Sequence, residues 1–285
     1  MSKIFLITGT SSGFGRALAE AALEHGDCVV LTARRPETTV DLAENYPDRT
    51  LSVRLDVTDP GQRRAALDAT VERFGRLDVL INNAGQGSVG AVEEFSSEQI
   101  RRQFEVNFFG VLEMTRDALP LFRRQRSGHI LNITSVGGVV SVGGFGLYCA
   151  TKFAVEGFSE ALRDEVKPLG IRVTIVEPGA FRTEFAGDSN MRPENVMEEY
   201  RPVVDPIRDY LYGSAGKQPG DPQKAAQAMI QVIESDDPPL RLMLGADAFD
   251  LREKKRAAME AELARWRDVG LNTAFDGETV QAIGG

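Results

Sequence analysis

"IFLITGTSSGFGRALAEAALEHG", residues 4–26, decides the architecture. Ile4 to Thr8 is a short, nearly continuous apolar run ending at a turn, the pattern of a strand buried on both faces. From Phe14 to Gly26 the period lengthens to that of a helix, and Ala17, Ala21 and Ala22 are small enough to let it lie close on a sheet. The junction, Thr8 to Gly15, reads "TGTSSGFG". Gly9 permits a tight turn that a Cβ would obstruct, Gly13 lets the backbone approach a pyrophosphate, and Gly15 lets the helix pack on the strand. Ser11, Ser12 and Phe14 complete the turn, and the unpaired N–H groups of the helix N-terminus face the phosphates of a dinucleotide. The spacing is G-x-x-x-G-x-G rather than the commoner G-x-G-x-x-G. A glycine cluster alone also suits a plain strand–helix turn.

The same rhythm runs on through the chain. Strands are expected at 28–33, 51–57, 77–85, 129–135, 172–179 and 240–244. Helices are expected between them. One follows Asp59 as N-cap with Pro60 at its first position, and another follows Asp221 with Pro222. A helical region spans 97–126 with an interruption near Pro120, and a helix at 147–167 carries Tyr148 and Lys152. Strand–helix repetition requires right-handed crossovers and therefore a parallel sheet covered on both faces. The expectation is one α/β, doubly wound, Rossmann-type domain over residues 1–245, with a mostly parallel sheet of about seven strands. Residues 180–220, rich in Pro, Tyr and charge, are too long for a simple connector and make a candidate lid. Residues 246–285 form a charged surface helix and a loose tail.

Bulk properties narrow the partners. The chain has 285 residues, 42% hydrophobic and 26% charged, as in an ordinary globular protein. Its net charge of −9 and pI of about 5.0 repel phosphate backbones and anionic lipid, which argues against nucleic acid and membrane partners. Two cysteines, Cys28 and Cys149, have neither disulfide-framework nor metal-ligand spacing and fit a reducing cytoplasm; no metal site is expected. The start "MSKIFLITG" has too short an apolar run for a signal peptide, and no stretch approaches the roughly 20 apolar residues of a membrane span.

Ligands of such sheets bind at the carboxyl ends of the strands. The second strand ends "TARRPE", with Arg34 where an acidic residue often holds the adenosine ribose. An arginine there pairs with a 2′-phosphate through a charge-assisted bond contributing roughly 1.5–3 kcal/mol, or about 10- to 150-fold in affinity. A solvated basic corner is the plainer alternative. Asp56 accepts from an adenine amino group with the Val57 N–H beside it, or is simply a solvated residue before a helix cap. "NNAG", with Asn83, Ala84 and Gly85, exposes main-chain groups at the fourth strand end, or is an ordinary turn. In "YCATK", Tyr148 and Lys152 stand four apart and share a helix face. Alone they read most simply as a surface pair.

Taken together, "TGTSSGFG", "NNAG", the Asn in "EVNFFG", "ITS", "YCATK" and "PGAFRT" occur in the order seen in the short-chain dehydrogenase/reductase family, which the chain resembles over about residues 3–245. The resemblance implies a single Rossmann-type domain, a homodimer or homotetramer, and hydride transfer between NAD(P) and an alcohol or carbonyl. By motif, Asn107, Ser135, Tyr148 and Lys152 correspond to the family's catalytic tetrad. Tyr148 would exchange the proton and Lys152 would lower its pKa and hold the nicotinamide ribose. Ser135 would position the substrate oxygen, and Asn107 would support a proton relay. Pro178, Gly179, Phe181 and Thr183 of "PGAFRT" would contact the cofactor's carboxamide and phosphates. "TARR" is similar to the NADP-preferring branch of carbonyl reductases and 17β-hydroxysteroid-dehydrogenase-like enzymes. Phe14 replaces a frequent Ile, a mild departure at a backbone-acting position; Cys149 replaces a small residue and is assigned no chemistry.

The expectation is an NADP(H)-dependent oxidoreductase acting on a lipophilic ketone or secondary alcohol. Phe145, Leu147, Phe181, Phe185, Tyr200, Tyr210 and Tyr212 are the candidate apolar lining under the 180–220 lid, or equally the core of the lid itself. The alternatives are an NAD(P)-binding sensor or scaffold without turnover, which would have no need of the tetrad, and an NAD-preferring dehydrogenase of the same family.

Overall fold

The computed structural model describes residues 2–187 and 190–278. In chain order the elements are β1 (Ile4–Thr8), α1 (Gly13–His25), β2 (Cys28–Ala33), α2 (Val40–Asn45), β3 (Thr50–Arg54) and α3 (Pro60–Phe74). Next come β4 (Val79–Asn82), α4 (Ser97–Phe104), α5 (Gly110–Gln125), β5 (Gly128–Ile133), α6 (Gly146–Val166) and β6 (Ile171–Pro178). The chain continues through α7 (Arg201–Gly213), α8 (Pro222–Glu234), β7 (Arg241–Leu244) and α9 (Ala246–Leu271).

The seven strands form one sheet in the order β3-β2-β1-β4-β5-β6-β7, with every neighbouring pair parallel. The winding reverses between β1 and β4, so a crevice opens beyond Thr8 and Asn82 at their carboxyl ends. Alternation along β1 builds the two cores. Phe5 and Ile7 point to one face, packing with Leu18 and Ala22 of α1 and Met229 and Ile230 of α8. Leu6 points to the other, joining Leu67 of α3, Met114 and Phe122 of α5 and Leu162 of α6. Each such side chain, taken fully from water, contributes roughly 1.5–3 kcal/mol.

The helix caps are as expected. Asp59 accepts from the N–H groups of Gly61 and Gln62, and Asp221 from that of Gln223. Two expectations need correction. The third strand stops at Arg54 rather than 57, because the Asp56 N–H turns to the Gln62 side chain and the Asp56 carboxylate takes the Thr58 N–H. The helical region 97–126 is not broken at Pro120. That residue sits inside α5 on its exposed side, and Arg116, whose carbonyl the missing N–H leaves free, is exposed as well. The break lies at Glu105–Phe109, a π-helical segment around Asn107.

The described residues of 180–220 (180–187 and 190–220) fold over the carboxyl edge as short turns and α7. Beneath them lies a small apolar cluster of Val89, Ala186, Val204 and Leu211, flanked by Phe145 and Phe185. Almost all of α9 is exposed; Ala248 is its one buried residue. The expected loose tail falls partly at 279–285, outside the described residues. No helix among the described residues is long and apolar enough to cross a membrane.

Candidate active site

The turn after β1 has the backbone its glycines predict. Gly9 and Gly13 have φ of +75° and +57°, in the left-handed region. Gly15 is helical, but a Cβ there would run into the Gly9 carbonyl and the Asn83 amide. Ser12 caps α1 without bonding it through its side chain, and Ser11 and Ser12 are exposed, so the first N–H groups of α1 point out of the turn. This cradle fits a pyrophosphate: bare glycine backbone at a helix N-terminus, bounded by Thr183, which lies 3.3 Å from where a Gly13 Cβ would stand.

The "NNAG" turn holds this cradle in place. Thr8 Oγ1 accepts from the N–H groups of Asn83 and Ala84, both at 2.9 Å, and Asn83 Nδ2 donates to the carbonyls of Thr8 and Gly9 at 2.8 and 3.0 Å. The Asn83 side chain is therefore committed to the turn rather than free for a ligand. Arg34 is exposed just past β2, and among the described residues it has no ion-pair partner. Asp56 uses Oδ1 to hold Thr58, leaving Oδ2 toward solvent, and Val57 is buried beside it.

Deeper in the crevice, α6 begins one residue after Phe145, with Tyr148 in its first turn and Lys152 one turn on. Ser135 follows β5; its hydroxyl accepts from the Gly137 N–H at 3.0 Å and donates to the Pro178 carbonyl at 3.5 Å, on the Tyr148 side of that turn. A Cβ on Gly137 would fall 3.1 Å from the Tyr148 ring and 3.4 Å from Ser135 Oγ, so the turn packs tightly between them. Lys152 Nζ donates to the Ile133 carbonyl at 2.9 Å and lies 5.8 Å from the Tyr148 ring centroid. Burial pushes the phenol well above its usual pKa, with the Ser135 hydroxyl pulling the other way. The expected lowering by Lys152 is not what governs this arrangement. Burial lowers the Lys152 ammonium to about 8.

Asn107 is fully buried in the π segment. Its Oδ1 accepts from the Gln86 N–H at 2.9 Å, and Nδ2 donates to the Gln86 carbonyl at 2.8 Å and to Thr151 Oγ1 at 3.2 Å. Thr151 donates in turn to the Tyr148 carbonyl at 2.7 Å. Gly85 stands between, since a Cβ there would be 3.4 Å from Asn107 Oδ1 and 3.8 Å from Lys152 Nζ. Every site residue expected from the sequence thus lies at the carboxyl edge of the sheet, and Pro178, Gly179, Phe181 and Thr183 close it from the end of β6.

A sequence profile of the short chain dehydrogenase family matches residues 3–194. The chain belongs to this family. Oxidoreductase BOA17 from Botryotinia fuckeliana is 40% identical over 275 residues, covering 96% of this chain and 100% of its own. A 3-ketodihydrosphingosine reductase from Bacteroides thetaiotaomicron is 39% identical over 245 residues, 85% of this chain and 88% of its own. A short-chain dehydrogenase from Streptomyces avermitilis superposes with a TM-score of 0.90 at 46% identity, over 96% of this chain and 100% of that one. One from Burkholderia phymatum in complex with NAD gives 0.76 at 26% identity, over 98% of each chain. This short-chain dehydrogenase/reductase is an oxidoreductase whose structural neighbours include nucleotide-bound members of the family.

Several aromatic residues of this dehydrogenase do not line the site, and Tyr200 and Tyr212 pack instead on the lid's own core. Tyr210 is 64% exposed, the Tyr200 hydroxyl bonds Glu93, and Phe181 packs on Phe14 at 5.2 Å. Tyr212 gives its hydroxyl to Asn190 Oδ1 at 3.1 Å. Phe145 and Phe185 do face the site, edge-on to Tyr148 at 6.3 and 5.2 Å. Asp247 was missed. From the first turn of α9 it accepts the Ala180 N–H at 2.7 Å and fixes the "PGAFRT" turn. No local pattern marks a residue 67 positions from its partner.

Proposed function

We propose that the protein moves a hydride between NADP(H) and a ketone or secondary alcohol, with Tyr148 as general acid/base. The observation that carries this reading is the placement of Ser135 and Lys152 on either side of a buried phenol, Ser135 across the Gly137 turn and Lys152 Nζ 5.8 Å from the ring centroid, with burial favouring the protonated phenol. A protonated phenol is the form needed to donate in the reducing direction. The bound nicotinamide supplies the hydride on reduction and takes it up on oxidation. As hydride arrives at the carbonyl carbon, Tyr148 gives its proton to the oxygen while the Ser135 hydroxyl donates a hydrogen bond to the same atom. Oxidation reverses these transfers. One Lys152 N–H is spent on Ile133, leaving two for the nicotinamide ribose and for returning a proton to Tyr148. Asn107 supports that relay past Gly85.

Arg34 supports NADP over NAD, since an exposed guanidinium at the end of β2 is positioned to pair with a 2′-phosphate. Asp56 and Val57 serve the adenine, and Ala84, Gly85 and the 178–183 turn the nicotinamide half. Phe145, Phe185 and the lid's apolar cluster support a lipophilic substrate. The Bacteroides relative, named for reduction of a 3-keto group, supports the carbonyl side. Free Cys28 and Cys149 support a reducing, cytoplasmic setting, and exposed Phe109 and Phe153 support a homodimer or homotetramer. A binding-only sensor would have no use for the placement of Ser135 beside Tyr148.

The test is a panel of apolar ketones with NADPH, followed by absorbance of the reduced nicotinamide. Tyr148→Phe should bind NADPH as the wild type does and lose about 10²–10⁴-fold in turnover. Undiminished turnover in that variant would place the proton donor elsewhere.

A further inference from the structure

One more turn along the face of α6 that carries Tyr148 and Lys152 lies Glu156. It is 5% exposed, against 6% for Lys152. The guanidinium of Arg241 on β7 pairs with Glu156, with Glu177 on β6 and with Glu160 on α6. Glu156 Oε2 makes that pair, while Oε1 is buried with no hydrogen-bond partner, at 2.9 Å from where a Gly138 Cβ would stand. Thr134, one residue past β5, spends its hydroxyl proton on the Val176 carbonyl at 2.8 Å, and the segment 136–138 beside Glu156 brings glycine backbone and no charge.

Three carboxylates on one guanidinium leave a surplus of negative charge, and Glu177 is 1% exposed, so water screens it little. The cation on the same helix face is Lys152. Burial drives that ammonium toward its neutral form, and Glu156 is the group opposing it. Burial also pushes the Glu156 carboxyl up; Glu177 adds to the push and Arg241 counters it. Without the guanidinium, two buried carboxylates would share a proton and Glu156 would lose its charge.

We propose that Glu156 is a positioning residue: clamped by Arg241, its carboxylate keeps buried Lys152 in the ammonium form and so sets the alkaline limit of cofactor binding and turnover. The second half rests on the oxidoreductase reading above; the first does not. A row of titratable groups thus runs from the Tyr148 phenol through Lys152 and Glu156 to the half-exposed Arg241.

The experiment is an NMR titration of the full chain labelled at lysine 13Cε, with the Lys152 resonance identified by its loss in Lys152→Arg. In Glu156→Gln its midpoint should fall by about one pH unit, within the range for a nearby opposite charge. In Glu160→Gln, which removes an exposed carboxylate from the same guanidinium, the midpoint should stay. The alkaline limb of NADPH-dependent reduction should move down with Glu156→Gln. An unmoved Lys152 midpoint in a folded Glu156→Gln variant, even with a lowered melting temperature, overturns the proposal. Should that variant not fold, the wild-type Lys152 resonance must show a second small step in the acid range as Glu156 titrates, and a single-step curve overturns it equally. A moved midpoint without turnover of any ketone would leave Glu156 in this role and sink the reading as an NADPH-dependent ketone reductase instead.

Discussion

The Asn83 side chain donates to the Thr8 carbonyl at 2.8 Å, across the point where the sheet's winding reverses. The same amide reaches Gly9, so the end of β4 braces the phosphate turn after β1. Asn83→Leu would leave these carbonyls unpaired, at a cost of about 1–3 kcal/mol. Thermal unfolding should show that loss, and NADPH titration should show weaker binding, with Tyr148 chemistry otherwise intact. An unchanged melting temperature would mean that water replaces the amide.

Gly15→Ala tests the turn from the other side. Its Cβ would meet the Gly9 backbone, which cannot swing aside as a flexible side chain does. The variant should lose cofactor binding outright. Gly157→Ala, on the exposed side of α6 with nothing within 4 Å of its Cβ, should be neutral or slightly stabilising. Equal behaviour of the two would contradict the packing described.

Arg34→Ala should weaken NADPH by about 10- to 150-fold, the worth of one charge-assisted bond, and leave NADH nearly untouched. Fluorescence titration with each nucleotide reads this directly. Tighter wild-type binding of NADH than NADPH would remove the basis for NADP preference.

His129 provides a pH prediction away from the site. Its Nε2 meets Thr174 Oγ1 at 2.9 Å; because that hydroxyl donates to Pro239, the imidazole must donate here, and Nδ1 is left buried without a partner. Burial lowers its pKa to about 3 from 6.5. Between those values the unfolded chain binds the proton and the folded chain does not. Stability should therefore fall as pH drops from 6.5 towards 3, by up to about 1.4 kcal/mol per unit. In His129→Gln, denaturant unfolding across that range should lose this part of the slope.

What the sequence revealed, and what it hid, follows the range of the interactions. The glycine turn is a local backbone requirement, and Tyr148 and Lys152 share a face by helix geometry, so both could be read within a few residues. Pro120 misled because part of what a helical proline costs, the carbonyl its missing N–H leaves free, falls when that carbonyl is on an exposed face, and exposure is not a local property. The committed Asn83 amide and the Glu156–Arg241 pair depend on partners 75 and 85 positions away, brought together only by strand order. The same holds for the aromatic residues. Phe145 and Phe185 reach Tyr148 while Tyr210 does not, a difference set by how residues 180–220 fold over the edge.

Asp247 gives the exposed α9 an unexpected importance for anyone handling the protein. The helix extends about 39 Å at 1.5 Å per residue, and it looks like an arm that could be trimmed. A chain cut after Leu244 would keep every strand yet lose the carboxylate that holds Ala180. Shortening the arm at its root should therefore loosen the turn that closes the crevice from the end of β6, although no strand would be touched.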